Sequence, residues 1–188
     1  MLGALSLGAC VGSEGVDAAP EAEVAAAEEA FELLQAVPAE LAVPSGNYLA
    51  AYRKGIGAQI YVCTAADAGY SWVFKAPEAD LFFPGKHLAG SHYAGPTWEA
   101  LDGSTVVGMK LASATVDASA IPWLLLQAAS HSGNGVFSKV AYIQRLNTTA
   151  GLAPTASCDA ANVGQAVDVD YTAGYFFYDP LPKRPHSK

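Results

Sequence analysis

After Gly46 the sequence settles into a two-residue repeat, and that repeat limits the fold more than any other feature. Tyr70, Trp72 and Phe74 share one side of an extended chain, as do Thr105, Val107, Met109 and Leu111. Phe137, Ala141 and Ile143 form a third set, and Val167, Val169 and Tyr171 a fourth. Successive side chains of a β-strand point to opposite faces, so each alternation predicts a strand with one buried face. Turn formers punctuate the runs at roughly the 8–12 residue spacing of all-β folds, among them Gly55 and Gly57, Gly95-Pro96, Asp102-Gly103 and Gly133-Asn134-Gly135. The predicted strands lie near 47–54, 58–65, 70–75, 87–93, 104–112, 121–128, 136–146 and 167–178, the last with a break at Gly174. The apolar run 121–128 reads as a buried strand with Pro122 at its start. Asp102-Gly103 predicts a type I′ hairpin, because both central positions of that turn take positive φ. Short connections make neighbours antiparallel. The expectation is an all-β antiparallel fold of about eight strands, a sandwich by preference and a closed barrel as the alternative.

Before the repeat the chain is different in kind. Residues 1–40 hold eight acidic side chains and no Lys or Arg, so the formal net charge of −8 belongs to this arm. From residue 41 onward ten acidic residues face ten basic ones. A neutral body cannot neutralise a row of phosphates, which excludes nucleic acid as a partner. Residues 21–37 are rich in Ala, Glu and Leu without Gly or Pro and predict a helix inside an acidic spacer over 11–42. The β-domain then spans 43–179, followed by a Pro-rich basic tail over 180–188.

Residues 1–9 form an apolar run too short to span a membrane as a helix, and it stops at Cys10. Such a run reads as a signal remnant, and Leu7-Gly8-Ala9-Cys10 resembles a bacterial lipobox whose cysteine is diacylated. The partner implied is a membrane, reached through a lipid on Cys10. Three cysteines in an exported chain leave one over. Lipidation of Cys10 leaves Cys63 and Cys158 to pair, the alternative being two buried free thiols.

Several motifs together resemble an uncharacterised family of bacterial and fungal exported proteins, the domain of unknown function numbered 3455. They are Gly57-Ala58-Gln59-Ile60-Tyr61-Val62-Cys63, Trp72-Val73-Phe74-Lys75-Ala76-Pro77-Glu78-Ala79, His92-Tyr93-Ala94-Gly95-Pro96-Thr97-Trp98-Glu99, Ile121-Pro122-Trp123-Leu124-Leu125, Ile143-Gln144-Arg145-Leu146-Asn147-Thr148 and Tyr171-Thr172-Ala173. The resemblance implies cysteines at positions 63 and 158 and brings no chemistry with it. A malate dehydrogenase label carried by some fungal relatives finds no support in the residues. Gly55-Ile56-Gly57 lacks the third fingerprint glycine and precedes a strand where a phosphate-binding helix is needed.

The densest gathering of chemically able side chains is His92, Tyr93, Trp98, Glu99 and Asp102 around Gly95-Pro96. His92 with Glu99 is the one pair suited to acid/base work, and Tyr93 and Trp98 suit a flat ligand or a sugar face. Asp102 and Arg145 complete the candidate binding set, since Arg145 interrupts an apolar strand and can hold an anion or a carboxylate. His87 and His92 are five apart and point to opposite faces of a strand, so no metal site is expected. No cofactor is implied, and no Gly-x-Ser-x-Gly signature supports a serine nucleophile. The sequence therefore predicts a noncatalytic exported module, in the envelope or outside the cell, binding a small ligand, a glycan or a protein through loops near Gly95 and Gly133. The alternative is an acid/base hydrolase or isomerase using His92 and Glu99.

Overall fold

The structure, a computed structural model, describes residues 37–183. The helix expected over 21–37, except for Val37, and the lipobox cysteine Cys10 lie outside the described residues. Eight strands follow one another: β1 Asn47–Ala66, β2 Gly69–Phe82, β3 Leu88–Tyr93, β4 Thr97–Ala100, β5 Thr105–Ala114, β6 Trp123–Ser132, β7 Tyr142–Ala150 and β8 Ala166–Pro180. Each pairs antiparallel with the next, and β8 returns to pair with β1, closing a barrel. The all-β, eight-strand expectation holds. The sandwich gives way to the barrel, its alternative.

The reason lies in glycines that sit inside strands instead of between them. Gly55 and Gly57 fall within β1, which runs unbroken where two strands were expected. A side chain at Gly55 would collide with the Tyr175 ring, and one at Gly57 with the backbone of Glu78 and Ala79. Missing side chains let β1 fold closely over its neighbours, and a bulge between Ile60 and Tyr61 adds to its bend. Gly174 likewise lies within β8. Curved strands of this length meet edge to edge and close.

The barrel interior is filled by Trp98, Tyr175, Phe177, Phe137, Ile143, Leu81 and Val106, all essentially without solvent contact. In β5 it is Val106 and Gly108 that face inward, so Val107, Met109 and Leu111 lie outside or half-exposed, opposite to expectation. Trp98 fills the space that a side chain at Gly108 would need. A second apolar layer lies outside the wall, where Phe176, Trp123, Leu125 and Leu146 pack with Leu41 of the short 3-10 helix Ala39–Leu41. Gln144 donates to the Leu41 carbonyl at 2.7 Å and accepts from the Tyr178 hydroxyl at 2.7 Å, fastening this layer. The run Tyr175-Phe176-Phe177-Tyr178 is continuous because β8 is buried on both faces.

Up-and-down order places alternate turns at opposite ends. The β1–β2, β3–β4, β5–β6 and β7–β8 connections share one end, so the loops near Gly95 and Gly133 cannot act together. At the Gly133 end the segment between β6 and β7 carries Phe137 and Val140, fully buried, into the barrel as a plug. Cys63 and Cys158 form the predicted disulfide at the opposite end, with Cα atoms 5.5 Å apart.

Candidate functional site

The wall is incomplete on one side. β3 pairs with β2 only over residues 79–82, and β4 pairs with β5 only over residues 105–107. One further bond runs from the Gly108 amide to the Pro96 carbonyl at 3.0 Å. Above the turn at Gly95 and Pro96, the longer β2 and β5 therefore run on without a strand between them. A short hairpin between two long neighbours leaves this gap.

A cavity of about 320 Å³ opens there. Phe74, Lys75 and Pro77 of β2 form one side, and Lys110 of β5 with Leu124 and Leu126 of β6 the other. Gly95 and Pro96 make the sill, His92 and Trp98 the floor, and Arg145 of β7 reaches in from behind. Its size suits a small organic molecule, and its walls are mainly apolar. Three cations line it and no carboxylate does. Arg145 is mostly buried and gives Nε and Nη2 to the Pro122 carbonyl at 3.3 and 2.8 Å. Burial pulls its pKa down, and the nearby hydroxyls of Tyr175, Tyr171 and Tyr61 act the other way. The Trp98 indole Nε1 is buried without a hydrogen-bond partner. Arg53, Gln59, Asn147 and Asp179 each hold a further buried side-chain atom without a partner among the described residues.

His92 stacks on Trp98 with ring centroids 4.4 Å apart and planes 12° from parallel. Its Nδ1 lies 2.8 Å from the Thr97 carbonyl, which can only accept, so Nδ1 carries the hydrogen. Burial pushes its pKa down to about 3, with the Thr97 bond opposing and the Arg145 field assisting. In the unfolded chain this histidine titrates near its ordinary value of 6.5, so between these values the unfolded state holds the extra proton. Its contribution to stability is complete above 6.5 and is lost as pH falls toward 3, by at most about 1.4 kcal/mol per pH unit. Denaturant midpoints should thus fall less steeply with acid in His92→Phe than in the native protein; parallel slopes would contradict a neutral buried imidazole.

Glu99 stands on the other side of the wall. It lies opposite Ser91, one register step from the His92–Trp98 pair, and accepts from the Tyr93 hydroxyl at 2.8 Å on the outer surface. His92 and Glu99 therefore do not converge, and no proton passes directly between them. Tyr93 instead borders an open outer groove of about 540 Å³ together with Glu78 and Asp80.

Asp102 serves the fold at the opposite end. Its Oδ1 accepts from the Ser104 amide at 2.9 Å and hydroxyl at 2.6 Å, and its Oδ2 from the Val136 amide at 2.8 Å. These bonds, the Ser104 hydroxyl first, hold its carboxyl below the usual range. The hairpin is the expected one, but only Gly103 takes positive φ. With the Gly103 amide bonded to the Ala100 carbonyl, it is a three-residue loop in place of type I′. Asp102 keeps ordinary φ and spends its side chain on pinning the plug.

Of the predicted binding residues, Trp98 and Arg145 meet at the cavity, while Tyr93 and Asp102 lie elsewhere. Phe74, Lys75 and Lys110 escaped the sequence reading. Their one signal is a lysine within each of two strand runs, Val73-Phe74-Lys75 and Met109-Lys110-Leu111. Among the described residues no group of His, Cys, Asp or Glu is arranged to hold a metal. No helix among them is long and apolar enough to cross a membrane.

No curated protein and no solved structure matches this chain. One family does, over residues 83–179, which carry the sill, Trp98, Lys110 and Arg145. With just over half of its length matched, the chain belongs to the family described as "Protein of unknown function (DUF3455)".

Proposed function

We propose that this protein is an exported, noncatalytic binding module that captures a small apolar molecule in the cavity between β2 and β5. The observation that carries the reading is the cavity itself, a mainly apolar hollow entered through a gap in the barrel wall and floored by Trp98. A hollow in a barrel wall, lined mainly by apolar side chains, suits capture without chemistry. Apolar walls favour a small organic molecule over a glycan, which needs many polar partners. His92 and Glu99 on opposite faces favour binding over the acid/base alternative. Export is supported by the disulfide, a bond that persists in oxidising compartments, and by the apolar run ending at Cys10. A diacyl group on Cys10 would tether the barrel to a membrane through the acidic spacer.

The neutral fluorophore phenylnaphthylamine, which brightens in apolar surroundings, tests the capture. Saturable binding of one probe per protein, with a raised melting temperature, is expected; no saturable signal overturns the reading. In the same preparation, made from membranes of cells expressing the full chain, an acyl mass increment on Cys10 is expected. A free Cys10 thiol overturns the tether alone.

A further inference from the structure

The polar content of the cavity says more than its apolar walls. Lys75, Lys110 and Arg145 converge on one small hollow without a lining carboxylate, in a body that from residue 41 onward carries as many acidic residues as basic ones. Lysines beside an unpaired strand edge have a plainer use, since charge there discourages pairing with another chain. That use covers Lys75 and Lys110, which are exposed, and leaves Arg145 unexplained.

Arg145 is the decisive residue. A mostly buried guanidinium costs folding free energy unless an anion faces it. Here its bonded partner is a neutral carbonyl, and the groups that stabilise its charge are tyrosines. Nη1 is left without a hydrogen-bond partner among the described residues, as is Trp98 Nε1. A planar oxygen anion such as a carboxylate or sulfonate fits free guanidinium hydrogens better than any other group.

We infer that the cavity selects apolar molecules bearing an oxygen anion, with Arg145 reading the charge and Lys75 and Lys110 drawing it in. The inference rests on the cavity being a binding site and adds the chemical class of what it binds. An anion locked on Arg145 completes a site that the empty protein keeps at some cost to its own stability.

Two probes of nearly one skeleton separate the inference from the reading beneath it: phenylnaphthylamine, which is neutral, and anilinonaphthalene sulfonate, which adds the anion. The native protein should bind the sulfonate at least about tenfold more tightly. Arg145→Met should bind both probes alike while melting at or above the native temperature, because the unpaired buried charge is gone. Should that variant not fold, Lys75→Gln with Lys110→Gln, both at exposed positions, should shrink the preference severalfold and make it less sensitive to salt. Equal binding of the two probes by the native protein overturns the inference and leaves the apolar cavity standing. A sulfonate preference that is undiminished in the variants also overturns it, since the anion then sits elsewhere. Binding of neither probe overturns both.

Discussion

Reducing the Cys63–Cys158 disulfide is expected to lower the stability of the folded domain by about 4–5 kcal/mol. The bond spans 95 residues, so cutting it returns a large loop's worth of freedom to the unfolded chain. Between β7 and β8, residues 151–165 are mostly exposed. Four bonds tie them to β1 and β2: Gly164 amide to Cys63 carbonyl at 2.9 Å, Cys63 amide to Gln165 carbonyl at 3.0 Å, Tyr61 hydroxyl to Gly151 carbonyl at 2.8 Å and Trp72 Nε1 to Ala156 carbonyl at 2.9 Å. Denaturant unfolding with and without reductant, and of the Cys63→Ser, Cys158→Ser double variant, measures the change. A loss below about 1 kcal/mol would show that the loop is restrained by other means.

Trp98→Ala should cost about 3–5 kcal/mol. Its indole is 1% exposed and meets His92, Tyr175 and Phe177 at centroid distances of 4.4, 5.5 and 6.1 Å. Gly108 is shaped to it, so no neighbouring side chain stands ready to fill the void. The void would join the existing cavity, and an added apolar molecule such as indole should recover part of the lost stability. Met109→Ala, on the outer face of the same wall and 53% exposed, should change stability by no more than about 0.5 kcal/mol. Similar losses for both variants, read from denaturant midpoints, would place Trp98 outside the core.

Local grammar was the legible part of this fold. Alternation identified most of the β-strands, although the run near 136–146 becomes strand only at Tyr142, with Phe137 in the plug before it; the apolar run before Ala128 was indeed a strand, and cysteine arithmetic found the disulfide. What escaped depends on partners distant in sequence. Gly55 and Gly57 spell a turn locally, and only Tyr175 and Ala79 on neighbouring strands show them to be points of close approach inside β1. The buried face of β5 was inverted for a similar reason. Met109 and Leu111 look like core, yet Gly108 faces inward because Trp98 occupies the space. Arg145 and Trp98 stood out as residue types, being a charge within an apolar strand and a tryptophan beside a rigid turn. Lys75 and Lys110 did not, because their meeting depends on a short β3–β4 hairpin failing to span two long strands. That mismatch is set by pairing, and no periodicity records it.

Capture requires that molecules enter the gap between β2 and β5. Nuclear magnetic resonance of the nitrogen-labelled protein, titrated with phenylnaphthylamine, reads this residue by residue. Shifts are predicted at the amides of Phe74, Lys75, Gly95 and Lys110 and at the Trp98 indole, with Asp102 and the plug at Phe137 unmoved. Shifts confined to the outer groove beside Tyr93 and Asp80, with the Trp98 indole unchanged, would contradict it.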